Sequence, residues 1–245
     1  MQDGHIRPTW PAPPSVCAAA TVRAAGGKSR GDYADFNLAD HVNDDPEAVR
    51  SNRALLVEQL GLPDPPRWLE QVHGRSVIDL DDPAQGNRGD AAVTGRAGRV
   101  AVVMTADCLP LLLADRAGTR VGAAHCGWRG LANGVVAQTV AAMGVAPADL
   151  MAWLGPAISQ GAYEVDAPVR DAFLALDADH AGCFIENPRQ RWQANLYALT
   201  RRLLAASGVE AIFGGGFCTY YDHRRFFSHR RQGPCGRMAT LIWLK

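Results

Sequence analysis

Apolar and polar positions along the chain sort into short, regularly interrupted blocks. Val100–Thr105 is an almost unbroken apolar run, the signature of a strand covered on both faces. Residues 111–114 and 121–125 repeat that pattern on either side of an Asp-Arg-Ala-Gly turn at 115–118. Residues 150–154 and 238–244 are further runs, and shorter ones occupy 17–23, 67–72, 76–80, 89–94 and 209–213. Pro110 is expected to interrupt any regular ladder just before residue 111.

Between these blocks the period changes to that of helices. Asp44-Asp45-Pro46-Glu47 is a helix start, with an acidic cap and a proline in the first turn, and its apolar positions run through Leu55 and Leu60 to a stop at Gly61. Gly127-Trp128-Arg129-Gly130 opens a helix expected to continue to about residue 143. Two more are expected over 168–176 and 195–206, the second with Leu196, Leu199, Leu203 and Leu204 on one face. Strands mixed with such helices, and the absence of a Ser-rich linker or charge block, predict a single α/β domain spanning 1–245, with residues 238–244 closing the sheet. Four prolines among the first 15 residues predict an extended arm.

Composition narrows the picture. A chain of 245 residues that is 47% hydrophobic can bury a large core. Lys plus Arg equals Asp plus Glu at 25 each, so net charge points to neither nucleic acid nor an acidic membrane. There is no run of 18 apolar residues and no secretory pattern at the start, which predicts a cytoplasmic protein. Six cysteines without a C-x-x-C pair are then expected to be reduced thiols.

Candidate chemistry sits at the ends of the strands. Cys108 follows one apolar run, His125 ends another, and Gln71-Val72-His73-Gly74 supplies a second imidazole. Two His and one Cys match a catalytic zinc, which takes three protein ligands and keeps one position open. The same residues permit a metal-free Cys–His hydrolase, with Cys108 as nucleophile. A copper site with Met104 as axial ligand ranks third. Arg129, at the opening of its helix, either helps the free amides hold a phosphate or carboxylate, or sits in a glycine-rich turn that lets the helix pack closely. The loop over 27–43 offers Asn37 and His41 either as ligand contacts or as turn formers. Arg230 and Arg231 form an anion clamp or a solvated turn. No P-loop, G-x-S-x-G elbow, H-E-x-x-H, strand-linked G-x-G-x-x-G or zinc-deaminase signature is present.

The segments WLEQVHG (68–74), MTADCLPLLL (104–113), AHCGWRGL (124–131), WLGPAI (153–158), CTY (218–220), FFSHRR (226–231) and GRMATLIWL (236–244) together resemble the laccase-domain or YfiH-type family. Its members are variously called polyphenol oxidases, peptidoglycan-editing factors and multifunctional purine nucleoside phosphorylases. The resemblance implies a single α/β domain with a mixed β-sheet flanked by helices, similar in fold to the cytotoxic-necrotizing-factor and YfiH-like cysteine hydrolases, with zinc bound by His73, Cys108 and His125. It implies phosphorolysis of adenosine, inosine, guanosine and methylthioadenosine, and deamination of adenosine. Asn37, Arg129, Arg230 and Arg231 become candidates for contact with the purine nucleoside and phosphate, in a chain expected to be monomeric. The alternatives are an amidase removing misincorporated serine from UDP-muramoyl precursors, a copper polyphenol oxidase, and a binding protein with a structural zinc whose fourth ligand is Cys218. The oxidase label fits poorly, because a blue site plus a trinuclear copper cluster needs roughly ten histidines and the chain has seven. Cys126 stands where the family usually has Ala, His229 where it often has Tyr, and Asp35-Phe36 replaces the usual Ser-Leu before Asn37.

Overall fold

The apolar runs form two sheets rather than the one expected. In the computed structural model, which describes residues 4–245, the chain runs through β1 (His5–Ile6), β2 (Val16–Thr21), α1 (Pro46–Leu60), β3 (Val77–Asp79), β4 (Ala91–Thr94), β5 (Val100–Thr105), β6 (Leu109–Asp115) and β7 (Val121–Cys126). It continues through α2 (Trp128–Ala132), α3 (Val135–Ala142), β8 (Leu150–Leu154), β9 (Glu164–Val165), α4 (Ala167–Leu174), β10 (Phe184–Glu186) and β11 (Trp192–Ala194). The last elements are α5 (Leu196–Ala206), β12 (Ala211–Gly214), α6 (His229–Gln232) and β13 (Met238–Leu244).

A mixed six-stranded sheet has the order β12-β8-β6-β7-β4-β3, and an antiparallel four-stranded sheet the order β1-β2-β13-β5. A small sheet, β10-β11-β9, lies apart in the topology. β13 therefore sits between β2 and β5 in the second sheet and does not close the first.

Strand alternation explains the layering. Ala101 and Val103 of β5 meet Leu112 and Ala114 of β6 and Val121 and Ala123 of β7 in the core between the two large sheets. Leu109, Leu111, Leu113, Ala124 and Cys126, on the other face of the six-stranded sheet, pack against Val136 and Val140 of α3 and Leu196, Leu199 and Leu204 of α5. Val100, Val102 and Leu241 face outward from the four-stranded sheet onto Leu56 of α1 and the loop residues Phe36, Leu38, Phe226 and Phe227. Both faces of each large sheet are thus covered, which is why β5, β6 and β7 read as continuous apolar runs instead of alternating ones.

Several local expectations are corrected. Residues 67–72 form no strand, only an isolated bridge between Glu70 and Arg88, because backbone and side-chain groups around 71–74 bond elsewhere, as described below. Pro110 lies inside β6 opposite His125, and its carbonyl still accepts from the Gly155 N–H. The helix expected over 127–143 is broken at Gly134, whose φ of 89° suits glycine, into α2 of 5 residues and α3 of 8. The N-terminal arm enters the sheet as β1, pairing His5 with Thr21 and Ile6 with Ala20. Among the described residues, no helix is long and apolar enough to cross a membrane.

Candidate metal centre

The chain leaves the four-stranded sheet at Thr105 and enters the six-stranded sheet at Leu109, so Ala106, Asp107 and Cys108 bridge the two sheets. Cys108 is carried at the seam, at the end of the core that both sheets share. His125, next to last in β7, points to the inter-sheet face, since its neighbours Ala124 and Cys126 face the helices. His73 comes from the loop before β3. Ligand atoms of His73, Cys108 and His125 all lie within 4.8 Å of one another, with Cys108 Sγ 3.9 Å from His73 Nε2.

What holds the cluster is a buried carboxylate that the sequence pattern did not single out. Asp90, directly before β4, has a fully buried side chain. Its Oδ1 accepts from the His73 N–H at 2.9 Å and from His125 Nδ1 at 2.8 Å, and its Oδ2 accepts from the N–H groups of Gly74 (2.6 Å) and Val72 (3.2 Å). One carboxylate thus fixes two of the three candidate ligands. It stabilises the left-handed backbone of His73 (φ 58°), and with Nδ1–H directed at Asp90 it leaves the His125 Nε2 lone pair facing Cys108. The second support is Gln71, whose side-chain amide takes both the N–H and the carbonyl of Met104 in β5, at 2.7 and 2.8 Å. These bonds replace the ladder expected over 67–72.

Asp107 plays the matching part for Cys108. It too has a left-handed backbone, at φ 93°. Its carboxylate accepts from the Thr219 hydroxyl and from the Arg230 N–H, both at 2.6 Å, and its carbonyl accepts from the Ile158 N–H at 2.9 Å. The turn that presents the thiol is therefore clipped to α6 and to the loops carrying Ile158 and Thr219.

The electrostatics of the cluster follow from this crowding. Burial alone would push the Cys108 thiol up, but the charge and hydrogen bond of His125, helped by His73, outweigh it and bring the thiol down to about 6. Burial pulls His125 down, and the Cys108 and Asp90 negative charges overcome this and raise it to about 9. Asp90 is lowered, because hydrogen bonds from His125, Gly74 and Val72 outweigh its desolvation. Cys126, fully buried on the helix side, is pushed up by that burial and by the charge of Cys108.

The residues suit a metal ion. A tetrahedral ion with bonds of about 2.0–2.3 Å to N and S separates its donors by roughly 3.5 Å, so small rotations would close this group on one. Space is kept for it by Gly127. A Cβ there would stand 2.9 Å from His73 Cδ2, 3.1 Å from Cys108 Sγ and 3.6 Å from His125 Nε2, although the backbone (φ −71°) is open to any residue. Cys218 is not in the group; its sulfur accepts from the Ser159 hydroxyl at 2.9 Å.

A cavity of about 440 Å³ opens onto the cluster, within the size range of small-molecule sites. Besides the three donors, its lining includes His41, Gln71, Arg129, His229 and Arg237. Of the side chains expected to contact substrate, Arg129 lines it, and Asn37, Arg230 and Arg231 do not. Asn37 is fully buried, with its amide bonded to Ala39 and Asp44 and its oxygen taking the N–H groups of Ala39 and Arg237. Arg231 donates to the carbonyls of Thr219, Tyr220 and Phe226. Both tie their loops together through these bonds. Arg230 donates to the Glu164 carbonyl at 2.7 Å and lies over Tyr163, so its contribution here is the backbone N–H that holds Asp107. Arg237 was missed because it reads as the polar start of a strand. α2, at 5 residues, is also too short to supply the helix-terminal anion site expected at Arg129.

Comparison with known proteins agrees with this architecture. Residues 18–245 match the family model described as multi-copper polyphenol oxidoreductase laccase. The chain belongs to the YfiH-type laccase-domain family. A purine nucleoside phosphorylase of Pseudomonas aeruginosa is 48% identical over 241 residues, covering 98% of both chains, and the purine nucleoside phosphorylase YfiH of Escherichia coli K12 is 47% identical with the same coverage. Among solved structures, a Neisseria meningitidis protein superposes with a TM-score of 0.95 at 46% identity, covering 99% of both chains. YlmD of Geobacillus stearothermophilus superposes at 0.90 with 30% identity, over 100% of this chain and 97% of that one. The family's single α/β domain with mixed sheets flanked by helices is the fold described above.

Proposed function

We propose that this YfiH-family enzyme is a zinc-dependent purine nucleoside phosphorylase that also deaminates adenosine. The observation that carries the reading is the convergence of His73, Cys108 and His125 over the buried Asp90 at the floor of a cavity of about 440 Å³. Two imidazoles and a low-pKa thiolate suit zinc among the common metals. The likeness to relatives described as purine nucleoside phosphorylases supports the substrate class. Adenosine, inosine, guanosine and methylthioadenosine are the proposed substrates.

Zinc bound there supplies Lewis acidity and a bound water of lowered pKa. The chain's own residues do the rest. Asp90 keeps the Nδ1 proton on His125 and orients that ring, Gln71 and Asp107 set the loops that carry His73 and Cys108, and Gly127 leaves the space between them. In phosphorolysis a phosphate oxygen forms a bond to the ribose C1′ while the C1′–N9 bond breaks. The bonding pair leaves with the purine, which takes up a proton, giving ribose 1-phosphate and free base. In deamination water adds at C6 of adenosine and ammonia leaves, giving inosine.

The test uses metal-quantified protein and its Cys108→Ala variant. Each is incubated with adenosine plus phosphate and, separately, with a UDP-muramoyl-serine conjugate. Zinc-dependent adenine and inosine, absent from the variant, are the expected products. Release of serine alone would replace the nucleoside reading with that of an amidase.

A further inference from the structure

The cationic side chains of the cavity are not used by the metal centre or by the loops that support it. Several guanidinium groups of the protein pair with carboxylates, among them Arg53 with Asp40, Arg120 with Asp81 and Arg225 with Asp222, and others, such as Arg231, spend both Nη atoms on carbonyls and a side-chain amide. Arg129 and Arg237 line the same cavity, and among the described residues neither has a carboxylate within ion-pair distance. No Asp or Glu is among the residues lining this cavity.

Each cation is nevertheless held in place. The Arg237 N–H donates to Asn37 Oδ1 at 2.9 Å, and its Nη1 donates to the carbonyls of Cys235 and Gly236 at 2.7 and 3.2 Å. Its Nε and Nη2 have no hydrogen-bond partner among the described residues. Arg129 stacks on Trp128, with the guanidinium carbon 4.5 Å from the ring centroid, which leaves the hydrogen-bonding edge of the fork open. His229 donates Nδ1–H to the Gly233 carbonyl, at 2.8 Å, so that its free Nε2 is an acceptor, suited to the P–OH of a hydrogen phosphate. Two anchored, unpaired guanidinium groups in one cavity match the charged oxygens of a tetrahedral oxyanion, because planar forks bind such oxygens with two parallel N–H bonds, and the acceptor Nε2 of His229 matches a protonated oxygen of the same group.

We propose that Arg129 and Arg237, with Nε2 of His229, form the subsite for inorganic phosphate in the cavity of the His73–Cys108–His125 centre. The identity of the anion rests on the phosphorolysis reading above, while the anion site itself rests on these side chains. Asn37 then has an indirect role, holding the Arg237 backbone from below. The Arg230-Arg231 pair, which looked like the anion clamp in the sequence, is replaced by Arg129 and Arg237, which are 108 residues apart in the chain.

The experiment titrates inorganic phosphate into zinc-loaded, full-length protein by calorimetry. It compares the natural chain with Arg237→Met, Arg129→Met, the double variant and His229→Phe, and uses the exposed Arg116→Met as a surface control. Zinc content and melting temperature are matched for every sample. Each single arginine variant is expected to weaken phosphate binding roughly ten- to hundred-fold, with Arg116→Met unchanged. In turnover, KM for phosphate rises by the same factor while KM for adenosine stays in place. Equal phosphate affinity in all variants, or no phosphate binding by the natural chain, overturns the assignment. Arginine-dependent binding of a UDP-muramoyl conjugate without binding of inorganic phosphate also overturns it, and assigns the oxyanion to the substrate. Phosphate binding that depends on both arginines without any nucleoside cleavage sustains the subsite and removes the phosphorolysis reading.

Discussion

Replacing Asp90 by Asn tests how the candidate centre is held. The substitution keeps shape and burial but turns one acceptor oxygen into an NH2 group. If the remaining oxygen stays with His73 N–H and His125 Nδ1, the new donor faces the N–H groups of Gly74 and Val72, which Oδ2 accepts at 2.6 and 3.2 Å. Two buried donors then lose their acceptor, at about 1–3 kcal/mol each, so metal-free protein is expected to lose about 2–6 kcal/mol and to melt roughly 5–20 °C lower. The opposite orientation frees His125 instead, with loss of its tautomer control. Either way zinc affinity should fall roughly ten- to hundred-fold, the usual effect of removing the group behind a ligating histidine. Chelator competition measures the affinity and calorimetry the stability. The pH dependence follows from the sign of the shift. Asp90 is lowered in the folded protein, so its stabilisation is complete above the ordinary carboxylate value near 4 and is lost as pH falls through the lower native value. The stability gap between natural and variant chains should therefore be constant near neutrality and narrow in acid. Zinc affinity within about threefold of the natural chain, together with melting within about 2 °C, would refute the role given to Asp90.

Gly127→Ala should abolish zinc binding while the metal-free melting temperature stays within about 2 °C, because its Cβ fills the ligand space without straining the backbone; stoichiometric zinc in this variant would show that the space is not needed. In metal-free protein, alkylation of Cys108 should rise with a midpoint near pH 6, set by its lowered value, and zinc should suppress it; a midpoint above about 8 would be that of an ordinary thiol. Thr219→Val leaves one buried Asp107 oxygen without its 2.6 Å donor and should cost about 1–3 kcal/mol, with a parallel loss of zinc affinity; unchanged chelator competition would disconnect Asp107 from Cys108.

Much of this architecture was legible because burial on both faces leaves a direct trace in the sequence. β5, β6 and β7 are apolar runs for that reason, and Cys108 and His125 stand out as reactive groups at the ends of such runs. The division into two sheets was not legible, since a three-residue link between apolar runs looks the same whether it turns within a sheet or crosses between sheets. Asp90 was hidden for a related reason: an acid before a strand is ordinary, and its importance comes from four donors reaching it from two other segments. Asn37 and Arg231 show the ambiguity of loops. A polar side chain in a loop has the same sequence signature whether it meets a ligand or ties the loop to itself, and only its hydrogen-bond partners separate the two.

The crossing from β5 to β6 also divides the molecule's tolerance for change. The floor that carries the three candidate ligands is built by backbone at the seam of two sheets and strapped by Asp90, Gln71 and Asp107, so alterations there disturb the scaffold as well as the chemistry. The walls come from single side chains on separate segments: His41 and Arg237 on loops, Arg129 on α2 and His229 on α6. Exchanging a wall residue leaves the floor standing. A centre made this way can keep one set of donors while the molecule it accepts is altered one side chain at a time, with the exposed His229 the most accessible place to begin.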